Sequence, residues 1–372
     1  MQIFPLKQIV ALVLSVFEII TPVAVSLTTS SGQSLSYEWS EELEFTEEHY
    51  TEIEKTPEED FRILNLSDIQ LYDNEIYDES LIEHQTLGLV AKAIEDAEPD
   101  LITISGDSFC STLATLEIID LIDSYGIPWA PVLGNHDGAS EGEWVFYTAW
   151  HLANAENSLF EFGPSEMGYG NYIINISEDG EVIHALYMMD THNETTTVTV
   201  HDMTHNKYGH LWDNQLEWYE WAVLGNNELA GKTVESTVIM HIPPREYLDA
   251  WLSVSTGEFT TGAPYGELIP EYSDIASGSC GEGFGGPEES NGFFKKVKEL
   301  RSTKDIIAGH DHVNDFSVLY EGVQLTYALH TGYSSYYDVD KVGATLYTVK
   351  SDGTTDLEHI YYDLVDGEWI VR

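Results

Sequence analysis

Five times along this chain a short apolar run, rich in Ile and Val, stops at a polar turn. Phe61 to Leu66 runs into Ser67-Asp68-Ile69-Gln70, and Leu101 to Ser105 runs into Gly106-Asp107. Trp129 to Leu133 meets Gly134-Asn135-His136-Asp137, Val238 to Met240 meets His241, and Ile306 to Ala308 meets Gly309-His310-Asp311-His312. Runs this short and this apolar suit strands covered on both faces. Helical spacing of apolar residues lies between several of them, at Leu81 to Ala97, Leu216 to Leu224 and Phe293 to Leu300. Strands alternating with helices predict an α/β fold with much parallel sheet. From Gly343 the pattern becomes antiparallel, over Ala344 to Val349 and Leu357 to Tyr362.

In open α/β sheets, ligands bind outside the carboxyl ends of the strands. The five turns follow their strands directly, so their polar residues collect at such ends. Taken singly, an Asp after a strand is a turn or cap residue. Taken together, Asp68, Gln70, Asp107, Asn135, His241, His310 and His312 offer carboxylate, amide and imidazole donors suited to Mn, Fe or Zn. Two such ions sharing a bridging carboxylate polarise a phosphate, generate hydroxide near neutral pH and stabilise the attacking and leaving oxygens.

The ordered set resembles that of calcineurin-like metallophosphoesterases, over roughly residues 61 to 350. It is most similar to the purple-acid-phosphatase-like branch, through Ile127 to Asp137, Gly168-Tyr169-Gly170-Asn171-Tyr172, His241-Ile242-Pro243-Pro244-Arg245-Glu246-Tyr247 and Gly309 to Phe316. The resemblance implies two facing mixed β-sheets flanked by helices, with a dinuclear metal site at strand carboxyl ends. It implies that Asp107 bridges two divalent or trivalent ions. Asp68, Asp107, His312 and whatever Gln70 provides would hold the first. Asp107, Asn135, His241 and His310 would hold the second. His136 would stand beside the leaving-group oxygen as a proton donor or electrostatic stabiliser, and Asp137 would either orient it or serve the turn. The implied activity is hydrolysis of phosphate mono- or diesters in a phosphorylated small molecule or other phosphoester.

Two positions depart from the family pattern. Gln70 stands where the family usually has His, and a neutral amide oxygen is a weaker ligand than imidazole. That departure keeps open a second reading, a metal-binding protein with a degraded first site and little turnover. Cys110 stands where purple acid phosphatases proper carry a Tyr ligand, so their iron–tyrosinate colour is not expected. A buried structural Cys or a disulfide to Cys280 is favoured over a thiolate ligand.

Composition sets the surroundings. The formal charge is −50, from 15 Lys+Arg against 65 Asp+Glu, which repels nucleic acids and anionic membranes. A phosphate ester is also an anion, so bound cations must reverse the field locally. Residues 1–26 read as a signal peptide or uncleaved anchor, with Lys7, the apolar Ile9 to Phe17 and the small Ala24-Val25-Ser26. The expected location is therefore secreted or cell-surface, with membrane contact only if that segment stays attached. Residues 27–60, dense in Glu, read as a linker, and 61–372 as the catalytic domain. Asn175-Ile176-Ser177 and Asn193-Glu194-Thr195 fit glycosylation acceptors. His201, His205 and His210 read as loop residues, and the Gly-rich Ser277 to Glu289 as a weak phosphate-cradle candidate.

Overall fold

The computed structural model describes residues 36–73, 76, 81–138, 145–193, 196–200, 203–257 and 265–372. The proposed signal segment, the first part of the 27–60 stretch and the side chains of His201 and His205 lie outside them.

The described strands are β1 (Thr51–Glu54), β2 (Phe61–Leu66), β3 (Leu101–Ser105), β4 (Trp129–Val132), β5 (Tyr172–Glu178), β6 (Glu181–Met188), β7 (Thr196–Val200) and β8 (Met203–Lys207). They continue with β9 (Glu235–Met240), β10 (Ala276–Ser277), β11 (Thr303–Ala308), β12 (Ser317–Tyr320), β13 (Val323–Tyr327), β14 (Gly343–Val349), β15 (Thr355–Val365) and β16 (Glu368–Val371). The helices are α1 (Leu81–Ala97), α2 (Thr112–Asp123), α3 (Val145–Ala153), α4 (Asp213–Ala230), α5 (Glu246–Val254) and α6 (Phe293–Leu300).

Two mixed sheets form the fold, with β7 and β8 as a separate hairpin. One has six strands in the order β16-β15-β14-β2-β3-β4, and the other eight, β1-β5-β6-β9-β11-β13-β12-β10. Helix α1 packs on the six-stranded sheet, and α4, α5 and α6 pack on the eight-stranded one. Within the first sheet β2, β3 and β4 are parallel, and within the second β9, β11 and β13 are parallel. In each sheet the carboxyl ends of these three strands therefore lie on one edge. The runs are mostly apolar because both faces are covered: every residue of β3 and of β4 is buried.

The sheets face each other through aromatic and polar contacts. Tyr172 Oη of β5 donates to the Pro131 carbonyl of β4 at 2.7 Å. His184 of β6 reaches the Tyr347 hydroxyl of β14 at 2.8 Å through Nε2, while Nδ1–H donates to the Gly353 carbonyl at 3.0 Å. Burial lowers the His184 pKa from 6.5 to about 4. The folded chain thus refuses a proton that the unfolded chain accepts near pH 6.5. Stability falls as pH drops from 6.5 to 4, by up to roughly 3 kcal/mol from this group at about 1.4 kcal/mol per unit. Denaturant unfolding at pH 7 and pH 4.5 checks this, and His184→Gln should flatten the slope.

The described part of the 27–60 stretch is not a tether. Tyr37 bridges to Pro164, β1 pairs in parallel with β5, and Trp39, Phe45 and Tyr50 pack against the core. The Glu side chains have structural partners: Ser177 Oγ donates to Glu52 at 2.6 Å and to Glu54 at 2.8 Å. Lys55, with its side chain 1% exposed, donates to the Glu59 carbonyl at 2.7 Å and pairs with Glu178 at 3.1 Å. Charge density suggested a solvated segment, but the interspersed aromatics decide the outcome.

Candidate metal centre

Four of the strand-end residues leave their strands in a left-handed conformation: Asp68 (φ 54°), Gln70 (φ 43°), Asp107 (φ 49°) and His310 (φ 78°). Such backbone costs about 1–3 kcal/mol per residue and persists where the surroundings over-determine it. Here the turns are tied to one another. The Asp68 amide donates to the Gly106 carbonyl at 3.0 Å, the Gln70 amide to the Asp107 carbonyl at 3.0 Å, and the Gly309 amide to the His241 carbonyl at 3.1 Å. Two motif glycines are required by close approach. A Cβ on Gly106 would lie 2.5 Å from His241 Nδ1, and one on Gly134 would lie 2.2 Å from Asp107 Oδ1.

Asp107 sits at the middle, 1% exposed. Its Oδ1 accepts the His136 backbone N–H at 2.6 Å, and its Oδ2 accepts Gln70 Nε2–H at 3.1 Å and lies 3.3 Å from His241 Nε2. His241 Nδ1–H donates to the Ser105 carbonyl at 2.8 Å, which turns Nε2 toward the cluster. There Nε2 lies 3.1 Å from Asn135 Oδ1 and 3.3 Å from His310 Nδ1. The ligand atoms of Asp107, His241 and His310 all fall within 4.8 Å of one another.

The second group forms around Asp68. Its Oδ2 accepts Ser67 Oγ–H at 2.5 Å and the His310 backbone N–H at 3.1 Å. Its Oδ1 lies 3.3 Å from His312 Nε2 but receives no hydrogen bond. His312 repeats the arrangement of His241: Nδ1–H donates to the Tyr336 carbonyl at 2.7 Å. Gln70 Oε1 is buried and also receives no hydrogen bond.

Charge follows from this geometry. Burial opposes ionisation of Asp68 and Asp107, yet His312 and His241 beside them hold both carboxyls below the usual range. Burial lowers His241, but Asp107 and Asp68 raise it to about 10. Burial and the His241 charge push His310 down to about 3. Asp107 and Asp68 thus set around His241 a negative charge that a bound cation would balance. The donor set fits metal ions: buried carboxylate and amide oxygens without donors, and two imidazoles whose outer nitrogens are fixed on carbonyls.

All seven expected ligands converge, three from the six-stranded sheet's β2, β3 and β4 turns besides Gln70, and three His from the other sheet. His136 lies beside them, with its ring 51% exposed and Nε2 4.0 Å from Asp107 Oδ2. Asp137 does not reach His136. It is 1% exposed, and its carboxylate accepts the Phe109 N–H at 2.5 Å and the Gly134 N–H at 2.8 Å. It therefore ties the β3 and β4 turns together, which is the turn role rather than the orienting one. Burial and the nearby Asp107 push its pKa up to about 7.

Cys110 and Cys280 are both buried and free, so the disulfide expectation is not met. Cys110 Sγ lies 3.9 Å from Asp137 Oδ1, and burial with surrounding carboxylates pushes its thiol up, against a thiolate role. The Gly-rich segment serves the protein itself: the Gly285 N–H donates to Asp311 Oδ2 at 3.1 Å, beneath which His310 packs. His210 is half-buried. Asn175 is fully buried and donates to Asn226 at 2.8 Å, which closes it to glycosylation in the fold. A residue missed in the sequence is His330, 2% exposed and stacked 4.5 Å from His312. No motif singles it out, since Val323 to Leu329 interleaves Gln324 and Thr326 with its apolar residues.

The chain is 30% identical over 284 residues to probable inactive purple acid phosphatase 14 of Arabidopsis thaliana, covering 68% of this chain and 64% of that protein. It is 28% identical over 291 residues to phosphatase DCR2 of Saccharomyces cerevisiae, covering 71% of this chain and 46% of that one. The chain thus spans less than two thirds of the length of these relatives. Among solved structures it is similar to a dimetal phosphatase from Danio rerio, with 10% identity, TM-score 0.44, and 80% of this chain and 98% of that one covered. It is also similar to a purple acid phosphatase from yellow lupin, with 13% identity, TM-score 0.37, and 84% and 53% covered. The sequence model of one family, calcineurin-like phosphoesterase, matches residues 61–316, most of the chain. This chain belongs to the calcineurin-like phosphoesterase family.

Proposed function

We propose that this chain is a metal-dependent hydrolase of phosphate mono- or diesters, acting at the centre built around Asp107. The observation that carries the reading is the convergence of Asp107, His241 and His310, with ligand atoms within 4.8 Å, from strand ends of two different sheets. Asp68, Asp107, His312 and Gln70 would hold one ion, and Asp107, Asn135, His241 and His310 the other. When bound, the pair would polarise the phosphoryl group and acidify water. The chain's own residues do the rest. The His136 backbone N–H fixes the orientation of the Asp107 carboxylate, leaving the half-exposed ring to meet the substrate. That ring delivers a proton to the departing oxygen. Asp137 keeps the Gly134 turn in place, so that Asn135 and His136 project from it together.

A second reading has a specific observation behind it. Gln70 Nε2, not Oε1, faces Asp107, and relatives carry names that say probable inactive. A chain with one weak position would bind metal and turn over little. Titration separates the two readings. Wild-type protein should hold one ion less tightly, because a neutral amide oxygen suits a hard cation such as Mn better than Zn. Gln70→His should raise metal occupancy and phosphatase rate at low free Mn. If neither form hydrolyses p-nitrophenyl phosphate or its bis ester with both positions filled, the enzyme reading gives way to the binding one. Export of the chain belongs to the same proposal, and N-terminal sequencing of protein recovered from its host tests it.

A further inference from the structure

Glu282 of the Gly-rich segment reaches the loop that carries His310 and His312. The two run antiparallel where Cys280 bridges to Asn314, and the Glu282 N–H donates to Asn314 Oδ1 at 3.0 Å. The approach is close, since a Cβ on Gly281 would lie 2.4 Å from the Val313 carbonyl oxygen. From there the Glu282 carboxylate accepts the Val313 N–H at 2.7 Å and also the Tyr336 hydroxyl.

Both partners bear on one imidazole. Val313 follows His312 directly. Tyr336 accepts the His312 Nδ1–H on its backbone carbonyl at 2.7 Å, and its ring stacks on the His312 ring at 4.2 Å and 12°. Tyr336 is 48% exposed, so packing alone does not fix where its ring lies. Ordering an exposed side chain costs entropy, and the hydroxyl bond to Glu282 offsets that cost. His312 Nε2 is thereby held 3.3 Å from Asp68 Oδ1, an oxygen with no hydrogen bond of its own. Attachment of the loop does not call for this carboxylate. The Gly285 N–H on Asp311 at 3.1 Å and the Ser279 N–H on Asp315 at 2.9 Å tie the segment down on either side of it.

We propose that Glu282 is a positioning residue for the first metal position, holding the imidazole of His312 toward Asp68 through Val313 and Tyr336. The inference rests on the metal-centre reading above. It gives the Gly-rich segment the task of bracing a metal ligand rather than cradling phosphate.

The test is equilibrium dialysis of the full chain against Mn²⁺, with bound metal measured per chain and thermal unfolding followed in parallel. Glu282→Ala removes both ties. It should weaken the more loosely held ion about 10–100-fold, the usual effect of losing a group that orients a ligand, and leave the tighter ion unchanged. Glu282→Gln keeps an acceptor oxygen and should recover most of that affinity. Tyr336→Phe should show part of the loss, and adding it to Glu282→Ala should cost little more, because the two side chains act through one bond. If Glu282→Ala holds both ions as tightly as wild type, or weakens both alike, Glu282 serves only the loop and the inference is overturned, while the functional reading stands. If wild-type protein binds no Mn²⁺ at all, the two fall together.

Discussion

Asp107→Asn is expected to remove nearly all phosphoesterase activity and to lower the content of both metals at once. The two carboxylate oxygens have different surroundings, with the His136 N–H at 2.6 Å from one and Gln70 Nε2 and His241 Nε2 at 3.1 and 3.3 Å from the other. Asn preserves the shape but presents one oxygen in place of two and carries no charge. It also sets an N–H₂ against either a backbone donor or the His241 edge. Even groups that merely orient a ligand cost about 10–100-fold when removed, so a shared ligand should exceed 10²-fold. Activity assays alongside metal analysis check this. An Asn variant with wild-type turnover and two ions would refute the bridging role.

His136→Ala should behave differently, losing rate while keeping metal. Its tie to Asp107 runs through the backbone N–H, which Ala retains, and its ring is 51% exposed. The loss should be about 10²–10⁴-fold, the range for a positioned general acid. It should shrink as the leaving group becomes a better one, because a stable anion departs without a proton. Rate comparison across aryl phosphates of graded leaving-group pKa, with metal content measured in parallel, makes the check. A variant that sheds metal would make His136 a ligand instead.

Much of this was legible in the sequence, for a physical reason. A strand buried on both faces must be apolar, and a strand end must turn, so β2 and β3 and the polar residues after them announce themselves by contrast. Helix α1 was marked by its period over its whole length. Less legible were features set by contacts distant in sequence. The role of Asp137 depends on the Phe109 N–H, 28 residues away. Segment 36–60 looks soluble by charge, but its aromatics find α4 and its Glu side chains find Ser177. His330 lies in no motif, and only its stacking on His312 reveals where it sits.

The centre draws its carboxylates and amides from the turns of the six-stranded sheet and its imidazoles from those of the eight-stranded sheet. Anionic and basic halves therefore meet across the seam, His241 against Asp107 and His312 against Asp68 at 3.3 Å each. The donors of the two halves lie in register across the seam. A cation bound there would tie one sheet to the other, so metal loading is expected to raise resistance to unfolding as well as to fill the site.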